Sequence, residues 1–258
     1  MSHDVHPTAL VDPGARLGDD VSIGPFAVIG PDVWIGTGTR VGPHAVIERN
    51  TRLGARCSVG GGSILGADPQ DRKFKGTDTW LEVGDDTVIR EYATLHRATE
   101  ATGVTSIGAG CFLMTYVHVA HDCTIEDGVT IANMVQLAGH VHIESHAFVS
   151  GLCPVHQFVR IGTYAFVGGG SRVPQDVPPF TRAVGNPLKL FGINTIALTR
   201  AGFSQEVRLA LKHAYRLLFN SDLTPSEAAS MLRADPNQSP EVLRLVDFVA
   251  RSERGVLV

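Results

Sequence analysis

Residues 107–137 read IGAGCFLMTYVHVAHDCTIEDGVTIANMVQL, and every sixth residue in them is a branched aliphatic: Ile107, Leu113, Val119, Ile125, Ile131 and Leu137. The beat runs on through Ile143, Val149, Val155, Ile161, Val167 and Val173. Toward the N-terminus it occurs again at Val5, Val11, Leu17, Ile23, Ile29, Ile35, Val41, Ile47, Leu53, Val59 and Leu65. A period of six fits neither a helix nor an alternating strand. It fits a chain that makes a short strand, turns a corner and points one aliphatic inward on each side. Three such sides close a triangular coil of about eighteen residues. Glycine usually follows the aliphatic in the N-terminal run (Gly18, Gly24, Gly30, Gly36, Gly42, Gly54, Gly60, Gly66), as expected if glycine supplies the corner conformation.

Composition agrees with a solenoid. Aromatic content is only 7% of 258 residues, as stacked aliphatic ladders replace a globular core. No run approaches the roughly 20 apolar residues of a membrane span, and the N-terminus has no basic segment followed by an apolar signal core. The expectation is a cytoplasmic protein. A formal net charge of −4 argues against general nucleic-acid binding. The four cysteines, Cys57, Cys111, Cys123 and Cys153, each stand four residues after a repeat aliphatic, where other repeats carry Val21, Ala27, Thr39, Ala45 and Ser63. They read as small inward fillers, neither paired nor metal-binding.

The rhythm is interrupted twice. Between Leu65 and Val83 the charged stretch Ala67-Asp68-Pro69-Gln70-Asp71-Arg72-Lys73-Phe74-Lys75-Gly76 intrudes, and a second excursion runs from Arg97 to Thr105, after Val83, Ile89 and Leu95 have resumed the beat. Both read as loops leaving the prism, near 66–80 and 97–105, the kind of place where specificity is built on a regular scaffold. After Pro178-Pro179 the beat stops and helix signals begin. Ser204 caps a helix through about Phe219, Thr224-Pro225-Ser226-Glu227 supplies an N-cap, an N1 proline and an N3 glutamate, and Ser239-Pro240-Glu241 opens a third helix. The chain divides into a prism over 1–189 and a helical domain over 190–258. Arg208, Lys212 and Arg216 fall on one helical face, suited either to solvent or to an acidic partner.

Phase within the coil also sorts the histidines. His121, Gly139 and Gln157 share one position on three successive coils, with His140 and His156 one residue away and His118 three residues before His121. Coils stack at about 4.8 Å, so these residues converge on one edge, while His142 and His146 fall elsewhere on the perimeter. Imidazole removes a proton from an alcohol near neutral pH. Asp122 follows His121 and can orient it only if the backbone turns a corner between them. A metal triad of the carbonic-anhydrase-like kind is disfavoured, because no two of the eleven histidines are five positions apart.

These segments resemble the UDP-N-acetylglucosamine acyltransferase family. The likeness is carried by Gln70-Asp71-Arg72-Lys73, His96-Arg97, His118-Val119-Ala120-His121-Asp122-Cys123, Leu137-Ala138-Gly139-His140-Val141, Val155-His156-Gln157-Phe158, Gln175-Asp176-Val177-Pro178-Pro179, Gly185-Asn186 and Gly202-Phe203-Ser204. It spans essentially the whole chain. The resemblance implies a mainly β fold, a left-handed parallel β-helix followed by C-terminal helices; the handedness comes from the family and not from the spacing. It implies transfer of a 3-hydroxyacyl chain from acyl carrier protein to the 3-hydroxyl of UDP-N-acetylglucosamine, the first step of lipid A biosynthesis. The family works as a homotrimer with sites between neighbouring prisms and uses no metal or other cofactor.

By the same resemblance His121 is the general base, Asp122 supports it and the Gly139 N–H faces the thioester oxyanion. Asp71, Lys73, His118, His140 and Gln157 position the sugar and the acyl 3-hydroxyl, His156 and Arg200 hold the nucleotide-sugar, and Gly169 is the acyl-chain ruler. A glycine at that ruler leaves room for a long chain. The chain departs from the family pattern at Ala201, where a second consecutive arginine is common, and at Thr195 and Ile196, where an acidic residue is often found. Alternatives are N-acylation of a 3-amino UDP-sugar and a metal-dependent hydratase of the same fold.

Overall fold

In the computed structural model, which describes residues 3–257, each hexapeptide of the repeat becomes a strand, mostly two residues long. Each strand pairs in parallel with its counterpart one coil on, so that Ile23 lies beside Val41, Val41 beside Val59, Val59 beside Ile89 and Ile89 beside Leu113. Three parallel sheets result. The first face carries this ladder on to Val167, the second runs from Val11 through Leu65, Leu95, Val119 and Leu137 to Val155, and the third runs from Leu17 through Leu53, Val83 and Ile125 to Ile161. The inward aliphatics from Ile23 onward are almost sealed from solvent. Burying one such side chain contributes roughly 1.5–3 kcal/mol, and coil-to-coil backbone bonds repeat along each ladder, as from the Gly36 N–H to the Leu53 carbonyl (2.8 Å).

The corner glycines serve a different purpose from the one expected. Gly66 excepted, those of the N-terminal run do not adopt positive φ; the left-handed corner positions are filled by residues such as Asp20, Phe26, His44 and Asp122. What the glycines permit is close approach: a Cβ on Gly36 would stand 2.5 Å from the Gly54 carbonyl carbon of the next coil. The cysteines are free and buried, as the phase predicts. The thiols of Cys57, Cys111, Cys123 and Cys153 donate to the carbonyls of Gly84, Glu126, Ala138 and Gly168 at 3.1–3.2 Å.

Past Pro179 the prism does not simply stop. Thr181–Val184 adds in parallel to the first face, and Lys189–Ile193 adds antiparallel to it. Four helices follow: α1 (Thr195–Arg200), α2 (Gln205–Phe219), α3 (Pro225–Ala234) and α4 (Pro240–Ala250). The three longer ones begin at Ser204, Thr224 and Ser239 as read from the sequence, with a full capping box between Thr224 and Glu227. Helix α1, capped by Asn194, was not signalled. Leu198, Leu211, Leu218, Leu232, Leu245 and Val246 build a second core around Phe180. Among the described residues no helix is long and apolar enough to cross a membrane.

Candidate functional site

The two excursions and the histidines share one edge of the prism. Leu65, Leu95, Val119, Leu137 and Val155 all belong to the second face, so whatever follows them sits on the edge toward the third. Along that edge, coil by coil, come the first excursion, the second excursion, His121-Asp122, Gly139-His140 and Gln157-Phe158.

Asp122, His140 and Phe158 occupy equivalent left-handed corners, with φ of 61°, 61° and 63°. That conformation is unfavourable for a side chain, and coil-to-coil bonds hold it, from the His140 N–H to the His121 carbonyl (3.1 Å) and from the Phe158 N–H to the Gly139 carbonyl (3.2 Å). At such a corner adjacent side chains need not point apart. His121 Nδ1 lies 2.6 Å from Asp122 Oδ2, so the pairing that a straight strand forbids is made. With Nδ1–H donating to the carboxylate, Nε2 is left as the basic nitrogen.

The Asp122 side chain is fully buried and heavily engaged. It accepts from the Thr99 N–H (3.0 Å), the Thr99 hydroxyl (2.8 Å) and the Thr102 hydroxyl in addition to His121. Its own N–H donates to Thr105 Oγ1 (2.8 Å). Burial alone would raise this carboxyl, but the hydrogen bonds from Thr102, His121 and Thr99 outweigh it and hold the group below the ordinary carboxylate range. Thr99, Thr102 and Thr105 all come from the second excursion, which thus wraps the carboxylate paired with His121. From the sequence that excursion reads as a loop of the kind that carries specificity, with nothing to link its threonines to Asp122. The phase of Leu95, one coil before Val119, would have placed it over Asp122.

His140 stands edge-on to His121, with ring centroids 5.4 Å apart, and stacks on Phe158 at 4.5 Å. His118 is mostly buried beside His96 (5.2 Å) and shares a 2.8 Å hydrogen bond between Nδ1 and the Thr94 hydroxyl. Burial, with His96 and His121 nearby, depresses its pKa to about 4, so the ring is neutral at pH 7. Gly139 fits tightly under His121: a Cβ there would meet His121 Cε1 at 2.6 Å and Nε2 at 2.9 Å. Its N–H has no partner among the described residues. His121, Asp122 and His140 bring potential ligand atoms within 4.8 Å of one another. The carboxylate, however, already receives four donors, and an ion there would have to displace them.

No hydrogen bond among the described residues ties the side chains of the remaining predicted residues to this cluster. Asp71 accepts from the Lys73 N–H (2.9 Å) in a turn of the first excursion, and no bond among the described residues ties either side chain to the histidines. That excursion is anchored by the buried Arg97, whose guanidinium pairs with Asp68 and packs against Phe74 (5.5 Å), and by His96 Nδ1, 2.6 Å from the Asp68 carbonyl. Gln157 and His156 are exposed on the edge, and Arg200 is exposed in the last turn of α1. Gly169 follows Val167 of the first face and so lies on a different edge, between the first and second faces. His142 and His146 do fall elsewhere, beside Glu126 (2.8 Å) and Tyr164 (4.9 Å).

Comparison with known proteins gives this geometry its context. Residues 14–49 and 105–139 match the family model for bacterial transferase hexapeptide repeats, and residues 176–257 match that for domain 2 of UDP-N-acetylglucosamine O-acyltransferase. The acyl-[acyl-carrier-protein]–UDP-N-acetylglucosamine O-acyltransferase of Alkalilimnicola ehrlichii is 52% identical, with 98% of each chain aligned. Among solved structures, the UDP-N-acetylglucosamine acyltransferase of Bacteroides fragilis superposes with a TM-score of 0.96 at 39% identity, over 98% of this chain and 99% of that one. The enzyme of Moraxella catarrhalis gives 0.96 at 40% identity, with the same coverage. With this likeness running through both the prism and the helices, the chain belongs to the UDP-N-acetylglucosamine O-acyltransferase family.

Proposed function

We propose that the protein transfers a 3-hydroxyacyl chain from acyl carrier protein to the 3-hydroxyl of UDP-N-acetylglucosamine, opening lipid A biosynthesis. The observation that carries the reading is the His121–Asp122 pair set against the unpartnered N–H of Gly139. His121 Nε2 takes the proton of the sugar 3-hydroxyl as its oxygen attacks the thioester carbon. The Gly139 N–H donates to the oxyanion of the tetrahedral intermediate. Collapse breaks the C–S bond, and the imidazolium returns its proton to the leaving thiolate. Asp122 keeps the proton of His121 on Nδ1 and stabilises the transient imidazolium. No metal or other cofactor enters this sequence of steps.

His118, His140 and Gln157 position the sugar and the acyl 3-hydroxyl, together with Asp71 and Lys73. His156 and Arg200 hold the nucleotide-sugar, and Gly169 sets acyl length. The separation of Gly169 from His121 onto different edges supports a site completed by a neighbouring copy in a homotrimer. So does the exposed apolar ridge of Tyr92, Tyr116, Met134 and Leu152 along the edge that carries Gly169, since a ridge of this kind marks a surface meant to be covered. Lys212 and Arg216 on α2, with Arg182 beside them, line a basic groove suited to the acidic carrier protein. Four free, buried thiols fit a reducing cytoplasm.

The test is to incubate the protein with UDP-N-acetylglucosamine and a mixture of 3-hydroxyacyl carrier proteins and to read the nucleotide-sugar by mass spectrometry. One added hydroxyacyl group is expected, lost in His121→Ala with the oligomer intact. Product from the 3-amino sugar alone would move the activity to N-acylation, and substantial turnover by His121→Ala would remove the base assignment.

A further inference from the structure

The chain's C-terminal segment returns to the prism after α4. The Asp176 N–H donates to the Gly255 carbonyl (3.0 Å), the Ser252 hydroxyl donates to the Asp176 carboxylate (2.7 Å), and Leu257 is buried in the prism core. This strap carries Arg254 to the histidine edge, where its guanidinium donates to His156 Nδ1 (2.9 Å) and to the Pro174 carbonyl (3.3 Å). The guanidinium Nε is buried without a partner, so the side chain is drawn in with its charge aimed at the ring.

The same His156 Nδ1 lies 3.1 Å from the Gln157 carbonyl. The two neighbours make opposite demands. A carbonyl calls for a proton on Nδ1, whereas a guanidinium, which has only donors and stays protonated, calls for a lone pair there. The arginine cannot yield, so the ring adapts: Nδ1 accepts, and the proton sits on Nε2. We propose that Arg254 is a positioning residue that fixes His156 in the Nε2–H tautomer, presenting a hydrogen-bond donor to the acceptor oxygens of the nucleotide-sugar. Without Arg254 the ring changes tautomer, Nδ1–H donates to the Gln157 carbonyl, and Nε2 turns a lone pair toward those same oxygens. The inference rests on the reading of His156 as a substrate-holding residue.

The test combines nitrogen-15 NMR of histidine-labelled protein with steady-state kinetics. The His156 resonances are identified by their loss in His156→Gln. In the unsubstituted protein Nε2 should show the shift of a protonated nitrogen and Nδ1 that of an unprotonated one, and Arg254→Met should exchange them. Arg254→Met should raise KM for UDP-N-acetylglucosamine roughly tenfold, the worth of about one hydrogen bond, with kcat little changed, and Arg254→Lys should restore much of the loss. In His156→Gln, whose amide donates from nearly the same place, Arg254→Met should add nothing. An unchanged tautomer in Arg254→Met, or an equal KM increase in both backgrounds, overturns the proposal. If His156→Ala raises KM and Arg254→Met does not, the proposal falls alone. If His156→Ala leaves KM unchanged, the underlying reading of His156 falls and takes the proposal with it.

Discussion

One added methyl group tests whether the base is held as described. In Gly139→Ala the new Cβ would stand 2.6 Å from His121 Cε1, 2.9 Å from Nε2 and 3.2 Å from Nδ1. Carbon contacts settle at roughly 3.5 Å or more, so the ring must retreat by about 1 Å. It cannot retreat freely, because Nδ1 is bonded to Asp122 at 2.6 Å and Asp122 is fixed by Thr99 and Thr102. The retreat therefore bends that bond and displaces Nε2 from the attacking hydroxyl. A misplacement of about 1 Å costs on the order of 10²-fold in rate, or about 2.7 kcal/mol in the barrier. The fold should suffer less. The clash falls on a side chain and not on backbone, and the Gly139 backbone lies outside the left-handed region, so alanine adopts it. A stability loss of about 1 kcal/mol, a few degrees in Tm, is expected. Initial rates with UDP-N-acetylglucosamine and a 3-hydroxyacyl carrier protein, read beside a thermal melt, separate the two effects. Because the variant keeps the residue 139 N–H, the rate loss reports on the placement of His121. A kcat within threefold of the unsubstituted protein would show that Gly139 does not confine His121, and would refute this account of the site.

Three further outcomes are expected. The unfolded chain binds a proton at His118 near pH 6.5 and the folded protein only near 4, so folding stability tied to this ring is complete above 6.5 and declines as pH falls toward 4; urea titrations of the unsubstituted protein and His118→Gln should diverge in pH dependence over that window by on the order of 1 kcal/mol, allowing for part exposure, and parallel curves would remove the effect. A Cβ at Gly169 meets nothing closer than the Gly151 carbonyl at 3.4 Å, so Gly169→Met should fold normally and shift donor preference toward shorter chains, an outcome that an unchanged chain-length profile would contradict. Burial pushes the Cys123 thiol up to about 12 and raises Cys57, Cys111 and Cys153, so a disulfide reagent at pH 8 should label the native protein no faster than it unfolds; rapid labelling would place a thiol at the surface.

The prism was legible because one rule repeats. An inward aliphatic every sixth residue determines which side of the coil each position occupies, so the ladders and the cysteine fillers follow from counting, as does the convergence of His121, Gly139 and His140. The helix starts were equally legible, since Ser204, Thr224 and Ser239 satisfy orphan N–H groups in a way that depends on a few adjacent residues. The hairpin of Thr181–Val184 and Lys189–Ile193 was not, because it has no period and takes its register from the finished end of the first face. Helix α1 was missed for a related reason. Six residues carry little intrinsic helical signal, and it is held by Leu198 in the second core.

At the site, what stayed hidden was the support behind His121. Phase places His121, but it says nothing of Thr99 and Thr102, whose reach to Asp122 depends on the path of a non-repeating loop, nor of Arg254, which arrives from the far end of the chain. The excursions nonetheless leave the prism in step with it. Both follow second-face aliphatics, Leu65 and Leu95, so both are delivered to the edge where His121 lies one or two coils later. A solenoid gives an insertion few directions in which to go, and this one stacks its two insertions, His121 and His140 in order on a single edge. The left-handed corner at Asp122 then does what a strand cannot, turning two neighbouring residues toward each other so that a buried carboxylate fixes the tautomer of the imidazole beside it. If that is the reason for the excursion, Thr99→Val with Thr102→Val should reduce kcat while leaving the prism folded, since the Thr99 N–H still holds the carboxylate and the other bonds lost are local to the loop, from the Ala101 N–H to Thr99 Oγ1 and from the Thr102 hydroxyl to the Val104 carbonyl. A double variant of unchanged kcat would mean that the backbone corner alone orients His121.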